Sequence, residues 1–152
     1  MALTPSTSIP LGFIAPDFDL ENPIEKTRAK LSDCKGSKGT LVMFICNHCP
    51  YVIHIIDSIV ELANEYHEKE INFIAINSND IINYPEDSPQ NMISFAKKHS
   101  FSFPYLFDET QNVAKEYDAA CTPDFYLLDN SGIVVYRGRF DAARPGNGII
   151  SK

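Results

Sequence analysis

The sequence predicts an α/β fold, with a central mixed β-sheet, helices on both faces and three layers in one domain spanning residues 1–152. Three observations carry this. Thr40 to Ile45 and Ile71 to Ile76 are continuous apolar runs rich in β formers, the pattern of strands buried on both faces. Between them Val52, Ile55, Ile56, Ile59, Leu62, Ala63 and Tyr66 recur at helical spacing, with Asp57, Glu61, Glu65 and Glu68 on the other face. Strand, helix, strand makes a right-handed parallel βαβ unit. Third, Asp124 to Leu128 and Ile133 to Phe140 flank the turn signal Asp129-Asn130-Ser131-Gly132, so the last two strands pair antiparallel.

The remaining elements follow in order. Residues 1–12 are polar and rich in Pro, Ser and Thr, a loose lead-in. Ala15 to Leu20 alternates apolar and polar residues, which predicts a short edge strand, and Glu21 to Gly39 predicts a hairpin and loop. Ser88-Pro89 is a helix start, with Ser as N-cap and Pro at the first position, and the helix runs to about Lys98. Phe103 to Phe107 is a short strand. Asp108 followed by Gln111 has the spacing of a capping box, which opens a short helix to Tyr117. Arg137, Arg139, Asp141 and Arg144 read as a solvated strand edge. Residues 142–152 are irregular.

The totals exclude several function classes. The formal charge is −7 and the basic residues are scattered, so neither nucleic acid nor an anionic membrane surface is an expected partner. Met1 to Pro10 has no basic residue and no apolar core, unlike a secretory signal, and no apolar run approaches the ~20 residues of a membrane span. A cytoplasmic protein is the expectation. In that compartment the chain's 4 cysteines point to catalysis or metal binding rather than to a structural disulfide framework.

Cys46-Asn47-His48-Cys49 is where the chemistry concentrates. It lies between a buried strand and a helix beginning near Pro50, and a CxxC at such a junction is a redox or metal signature. The redox reading needs a thiolate, and CxxC cysteines at helix starts have pKa values of roughly 3.5–7.5 against ~8.5 for an ordinary thiol. Unpaired helix N–H groups stabilise the anion, and a protonated His48 adds an opposite charge, unless it points to solvent. Placed at the mouth of the helix, Cys46 takes the role of nucleophile and Cys49 that of resolving thiol. Thiolate stabilisation favours the dithiol, so His48 pushes the couple toward oxidant. The competing reading is a zinc or metallochaperone site using Cys46, His48 and Cys49, with Cys121 as an optional further ligand. It lacks a second CxxC or an HxxxH, so no metal is expected. Cys34 lies in the charged loop region and receives no role. Cys121-Thr122-Pro123 precedes a strand, and the proline marks where that strand starts.

From about Gly12 to Arg144 the chain resembles the thioredoxin-fold redoxins of the peroxiredoxin-like branch, the alkyl hydroperoxide reductase/thiol-specific antioxidant group. Ala15-Pro16-Asp17-Phe18-Asp19-Leu20 is similar to that group's opening motif, and Phe103-Pro104-Tyr105-Leu106-Phe107-Asp108 to its Phe-Pro strand. Cys46 to Val52 and Cys121 to Phe125 match members carrying Cys-Asn-His-Cys-Pro-Tyr-Val and Cys-Thr-Pro-Asp-Phe.

The resemblance implies a thioredoxin-like fold with an N-terminal extension, and a cis Thr122–Pro123 bond facing the CxxC. Thr122 and Pro123 then line the substrate groove, and Cys121 is either a third redox thiol or, in the slightly preferred reading, a core cysteine. It further implies a protein or small thiol/disulfide substrate, a reducing partner such as thioredoxin or glutathione, and no cofactor. Two departures count against efficient peroxidase activity. Cys46 stands where peroxiredoxins carry a hydroxyl, and Pro123 stands near the place of their peroxide-binding arginine. The group's closing helix has no counterpart in the sequence given. Either the chain is a piece of a longer one or another body, such as a second subunit, covers that sheet face.

Overall fold

The computed structural model describes residues 12, 14–47, 49–78, 85–117, 119 and 124–139. Strand β1 (Asp19–Asn22) and strand β2 (Thr27–Lys30) form the N-terminal hairpin, and a single helical turn, α1 (Leu31–Cys34), follows. Strand β3 (Gly39–Phe44), helix α2 (Pro50–His67) and strand β4 (Ile71–Asn77) form the parallel βαβ unit. A 3-10 turn (Pro85–Asp87) leads into helix α3 (Pro89–Lys98), strand β5 (Tyr105–Phe107) and helix α4 (Asn112–Tyr117). Strands β6 (Asp124–Asp129) and β7 (Val134–Arg139) close the order as an antiparallel pair.

The sheet order is β2-β1-β5-β4-β3-β6-β7. β3 and β4 sit centrally, which is why their sequences are apolar throughout. On one face Met43, Ile45, Phe73, Ala75 and Tyr105 pack against Val52, Ile55, Ile56 and Ile59 of α2 and Met92 and Phe95 of α3. Each large aliphatic side chain buried there stabilises the fold by roughly 1.5–3 kcal/mol. On the other face Val42, Phe44, Ile74, Ile76 and Tyr126 pack against Val113 and Tyr117 of α4 and Phe18, Leu20 and Leu31 of the N-terminal region. The chain itself therefore covers both faces at the centre of the sheet. At the β7 edge Val135 remains 48% exposed, as does Ile53 of α2 at 50%.

Several elements match the sequence reading. Ser88 caps α3, its Oγ accepting the Asn91 N–H at 3.3 Å, with Pro89 next to it. The β6–β7 turn closes through Gly132 N–H to the Asp129 carbonyl at 3.0 Å, and Gly132 takes φ +84°, which glycine adopts without strain.

Three expectations fail, each for a local reason. The first strand begins at Asp19 rather than Ala15, because Pro16 lacks an N–H and Asp17 Oδ1 takes the Phe18 and Ser32 amides. The helix expected from Asp108 starts at Asn112, because Gln111 adopts φ +66°. Asp108 still caps that helix from outside, its Oδ2 accepting the Ala114 N–H at 3.0 Å. Arg137 is not solvated. Its guanidinium lies 4.9 Å from the Tyr126 ring centroid and 3.2 Å from the buried Asp124 carboxylate.

Candidate active site

Cys46, Asn47 and Cys49 lie at the C-terminal edge of the two central strands. The Ile45 N–H still bonds the Ile76 carbonyl at 2.9 Å, so the ladder holds Cys46 one residue beyond its end. Cys46 is 1% exposed, whereas Cys49 is partly exposed and packs at the end of the α2 core. Both are thiols in this structure.

Their placement corrects the sequence expectation, which put Cys46 at the helix mouth. Cys49 is the N-cap of α2 (φ −70°, ψ 123°) and Pro50 is its first residue. The cause is steric. A residue before proline is pushed out of the helical region, so Cys49 cannot be helical, and Pro50 gives up no hydrogen bond at the first position. Cys49 therefore occupies the position from which an N-cap side chain can meet the orphan amides, although its side chain makes no capping hydrogen bond here. No acidic residue occupies the first turn of α2 to oppose an anion there.

The second component comes from the 3-10 turn. Asp87 is fully buried, and its Oδ1 accepts the Asn47 backbone N–H at 2.7 Å. Asn47 Nδ2 donates to the Glu86 carbonyl at 2.9 Å, and its Oδ1 accepts from the Tyr105 hydroxyl at 2.8 Å. Below this, Asn77 at the end of β4 donates from Nδ2 to the Asp87 carbonyl at 2.7 Å. Asn47 thus ties the CxxC loop to both the turn and β5. Burial first, then the negative charges at Cys46 and Asp87, raise the Tyr105 phenol well above its ordinary value, so Tyr105 acts as a neutral donor.

Of the residues singled out from sequence, Cys46, Asn47 and Cys49 are brought together. His48, Cys121, Thr122 and Pro123 lie outside the described residues. Sequence reasoning missed Asp87, Glu86, Asn77 and Tyr105. The flanking prolines of Pro85-Glu86-Asp87-Ser88-Pro89 marked a turn, but nothing local marked a buried carboxylate. A groove of about 380 Å³ opens beside the loop, lined by Asn47, Glu86, Asn91, Ser94, Phe95 and Lys98. No group of three or more His, Cys, Asp or Glu side chains that could hold a metal ion occurs among the described residues. Chemically, the edge offers a partly exposed thiol at a helix N-terminus, a buried thiol three residues before it, and a buried carboxylate hydrogen-bonded to the backbone of the residue that follows the buried thiol.

A mixed sheet in this order, covered by helices, with a CxxC between its first parallel strand and the following helix, defines a thioredoxin-fold redoxin. More specifically, residues 11–137 match the AhpC/TSA family, and the chain belongs to that family. It is similar to an uncharacterized conserved protein of known structure from Geobacillus kaustophilus, with 53% identity and a TM-score of 0.90 over 96% of this chain and 77% of that one. It is 29% identical over 121 residues to the thiol-disulfide oxidoreductase ResA of Halalkalibacterium halodurans, over 80% of this chain. It spans 64% of that relative's length, less than two thirds. The peroxidoxin BcpB of Mycobacterium tuberculosis shares the fold, with 18% identity and a TM-score of 0.72 over 89% of this chain and 91% of that one.

Proposed function

We propose that the protein is a thiol–disulfide oxidoreductase that cycles Cys46 and Cys49 between dithiol and disulfide, with Cys49 as the entry thiol and Cys46 as the resolving thiol. The observation that carries this reading is the contrast between a partly exposed Cys49 at the N-cap of α2 and a Cys46 that is 1% exposed. An attacking thiol must meet its substrate, and thiolate is the reactive form; the N-cap favours both. The name of the Halalkalibacterium halodurans relative supports the same reaction class. The substrate is a protein or small-molecule disulfide lying in the groove beside Asn47, and a thiol partner such as thioredoxin or glutathione returns the pair to its starting state. The cysteine in the place of the peroxiredoxin hydroxyl favours this over peroxide reduction.

The test is trapping with 5,5′-dithiobis(2-nitrobenzoate). In Cys46→Ser the aryl adduct should persist on Cys49, located by peptide mass mapping. The wild type should instead release a second aryl thiol and form the Cys46–Cys49 disulfide. Resolution of the adduct in Cys46→Ser at the wild-type rate would sink the reading.

A further inference from the structure

The groove beside Asn47 takes its charged walls from two elements. Glu86 comes from the 3-10 turn and Lys98 from the last turn of α3. The turn is fastened on both sides. Its Glu86 carbonyl accepts Asn47 Nδ2 at 2.9 Å, and its Pro85 carbonyl accepts Asn91 Nδ2 at 2.9 Å. The backbone that carries Glu86 is thus fixed against both the CxxC loop and α3. The Glu86 and Lys98 side chains are exposed, and among the described residues neither charged group forms an ion pair or a hydrogen bond. His99, the next residue after Lys98, is by contrast taken up by Asp57 at 3.0 Å. Phe95 supplies apolar surface in the same groove.

We infer that this groove selects zwitterionic disulfides, of which the amino-acid disulfide cystine is the simplest, with the substrate carboxylate at Lys98 and its ammonium at Glu86. The assignment rests on the dithiol reading above and names its substrate class. Two opposite charges that line one groove without pairing leave room between them for a group that carries both signs. A disulfide of a single sign meets a like charge on one wall, which costs affinity. An anionic disulfide is further opposed by the chain's net charge of −7. A disulfide within a protein chain carries amides where the free amino acid carries charges, so it leaves both walls unanswered. At about 380 Å³ the groove also lies near the lower end of the size range of small-molecule sites.

The reaction balances for such a substrate, written R–S–S–R. The Cys49 thiolate, its proton already given to solvent, attacks one sulfur and forms Cys49 Sγ–S–R, and R–S⁻ leaves with the electron pair of the broken bond. Cys46 loses its proton to solvent and attacks Cys49 Sγ, so that the Cys46–Cys49 disulfide forms and a second R–S⁻ leaves. Both leaving thiolates take protons from solvent. The two cysteines are oxidised, and cystine is reduced to two molecules of cysteine.

Four disulfides of similar length test the selection: cystine, cystamine with ammonium groups alone, 3,3′-dithiodipropionate with carboxylates alone, and uncharged bis(2-hydroxyethyl) disulfide. Each oxidises the reduced protein, and acid quenching with alkylation and mass analysis gives the second-order rate of Cys46–Cys49 formation. Every rate is divided by that of the uncharged disulfide, and comparing variant with wild type cancels the intrinsic reactivity of each reagent. Lys98→Ala should lower the cystine and dithiodipropionate ratios about 2- to 5-fold, the size of an exposed charge pair, and raise the cystamine ratio. Glu86→Ala should lower the cystine and cystamine ratios to the same extent and raise the dithiodipropionate ratio. Neither substitution removes a side-chain hydrogen bond of the fold. Lys97→Ala, an exposed neighbour on α3 that does not line the groove, should leave all three ratios in place. Cystine ratios that stay at the wild-type value in both groove variants overturn the inference, as does a Lys97→Ala pattern equal to that of Lys98→Ala. If the uncharged disulfide does not oxidise the cysteine pair in the wild type, the dithiol reading itself falls, and the inference with it.

Discussion

The two ends of the central strands each hold a cysteine next to an asparagine, and they prepare it in opposite ways. At the C-terminal end Cys49 sits at the start of the 18-residue helix α2 with no acid in its first turn. At the N-terminal end Cys34 is the last residue of the 4-residue helix α1, where carbonyls rather than amides are left over. Asn72 there bonds the Cys34 carbonyl at 3.1 Å, holding the backbone and leaving the sulfur unassisted. Burial first, then the Asp33 and Glu25 carboxylates, push the Cys34 thiol up. A cavity of about 180 Å³ lies beside it with His67 on its wall, so a cysteine, a histidine and a hollow do coincide. What that end lacks is a positive field at the sulfur. Reactivity follows the local field, not the presence of a thiol near a pocket.

The sharpest way to break this contrast is substitution of each cysteine. Cys49→Ser should lower disulfide-exchange turnover by at least about 10³-fold, as loss of an attacking nucleophile does. Cys34→Ala should leave turnover within experimental error. Equal losses in the insulin-disulfide assay would show that the N-terminal end contributes to exchange and would remove the distinction. A smaller effect should appear in alkylation. A raised thiol pKa lowers the thiolate fraction at a given pH, so iodoacetamide at pH 7 should label Cys34 more slowly than a free cysteine, by about 10-fold for each unit of upward shift. Cys49 should label faster than Cys34 across that range. Peptide mapping of a time course checks the order, and the reverse order contradicts the electrostatic account.

The same contrast explains what could be read in advance. Period alone placed β3, α2 and β4, because central strands and an amphipathic helix write their burial into residue order. Ser88-Pro89 and Asp129 to Gly132 were legible because capping and turns are settled within four residues. The start of α2 was written in Cys49-Pro50 as well, yet the CxxC pattern drew attention to Cys46 and its accessibility was misplaced. Asp87 was not legible. It meets Asn47 across 40 residues, and an acid between two prolines reads as surface until the turn folds against β4. Likewise, Arg137 looks solvated until Tyr126 and Asp124 enclose it.

Asn77 measures how much the laced end depends on its scaffold. Its side chain is fully buried and donates to the Asp87 carbonyl at 2.7 Å. Asn77→Ala should destabilise the fold by about 1–3 kcal/mol, the cost of leaving a buried acceptor short of its donor. Urea unfolding reads this directly. A loss below about 0.5 kcal/mol would place the turn's anchorage elsewhere.

The finest test removes one oxygen. Tyr105→Phe deletes the hydroxyl that donates to Asn47 Oδ1 at 2.8 Å, which should cost about 0.5–1.5 kcal/mol at pH 7. The deficit should also depend on pH. The Tyr105 phenol is held well above its ordinary value in the folded protein, whereas in the unfolded chain it ionises near ~10. Above that pH the unfolded wild type binds fewer protons than the folded one, so wild-type stability falls as pH rises. Its contribution is complete below ~10 and declines by up to about 1.4 kcal/mol per pH unit above it. Phenylalanine carries no such proton. Tyr117 is raised in both proteins and cancels from the difference. The two stability curves should therefore converge between pH 10 and 11. A gap that stays constant or widens there would mean that the phenol ionises freely, and that the carboxylate and thiol beside it do not share a closed, low-dielectric site.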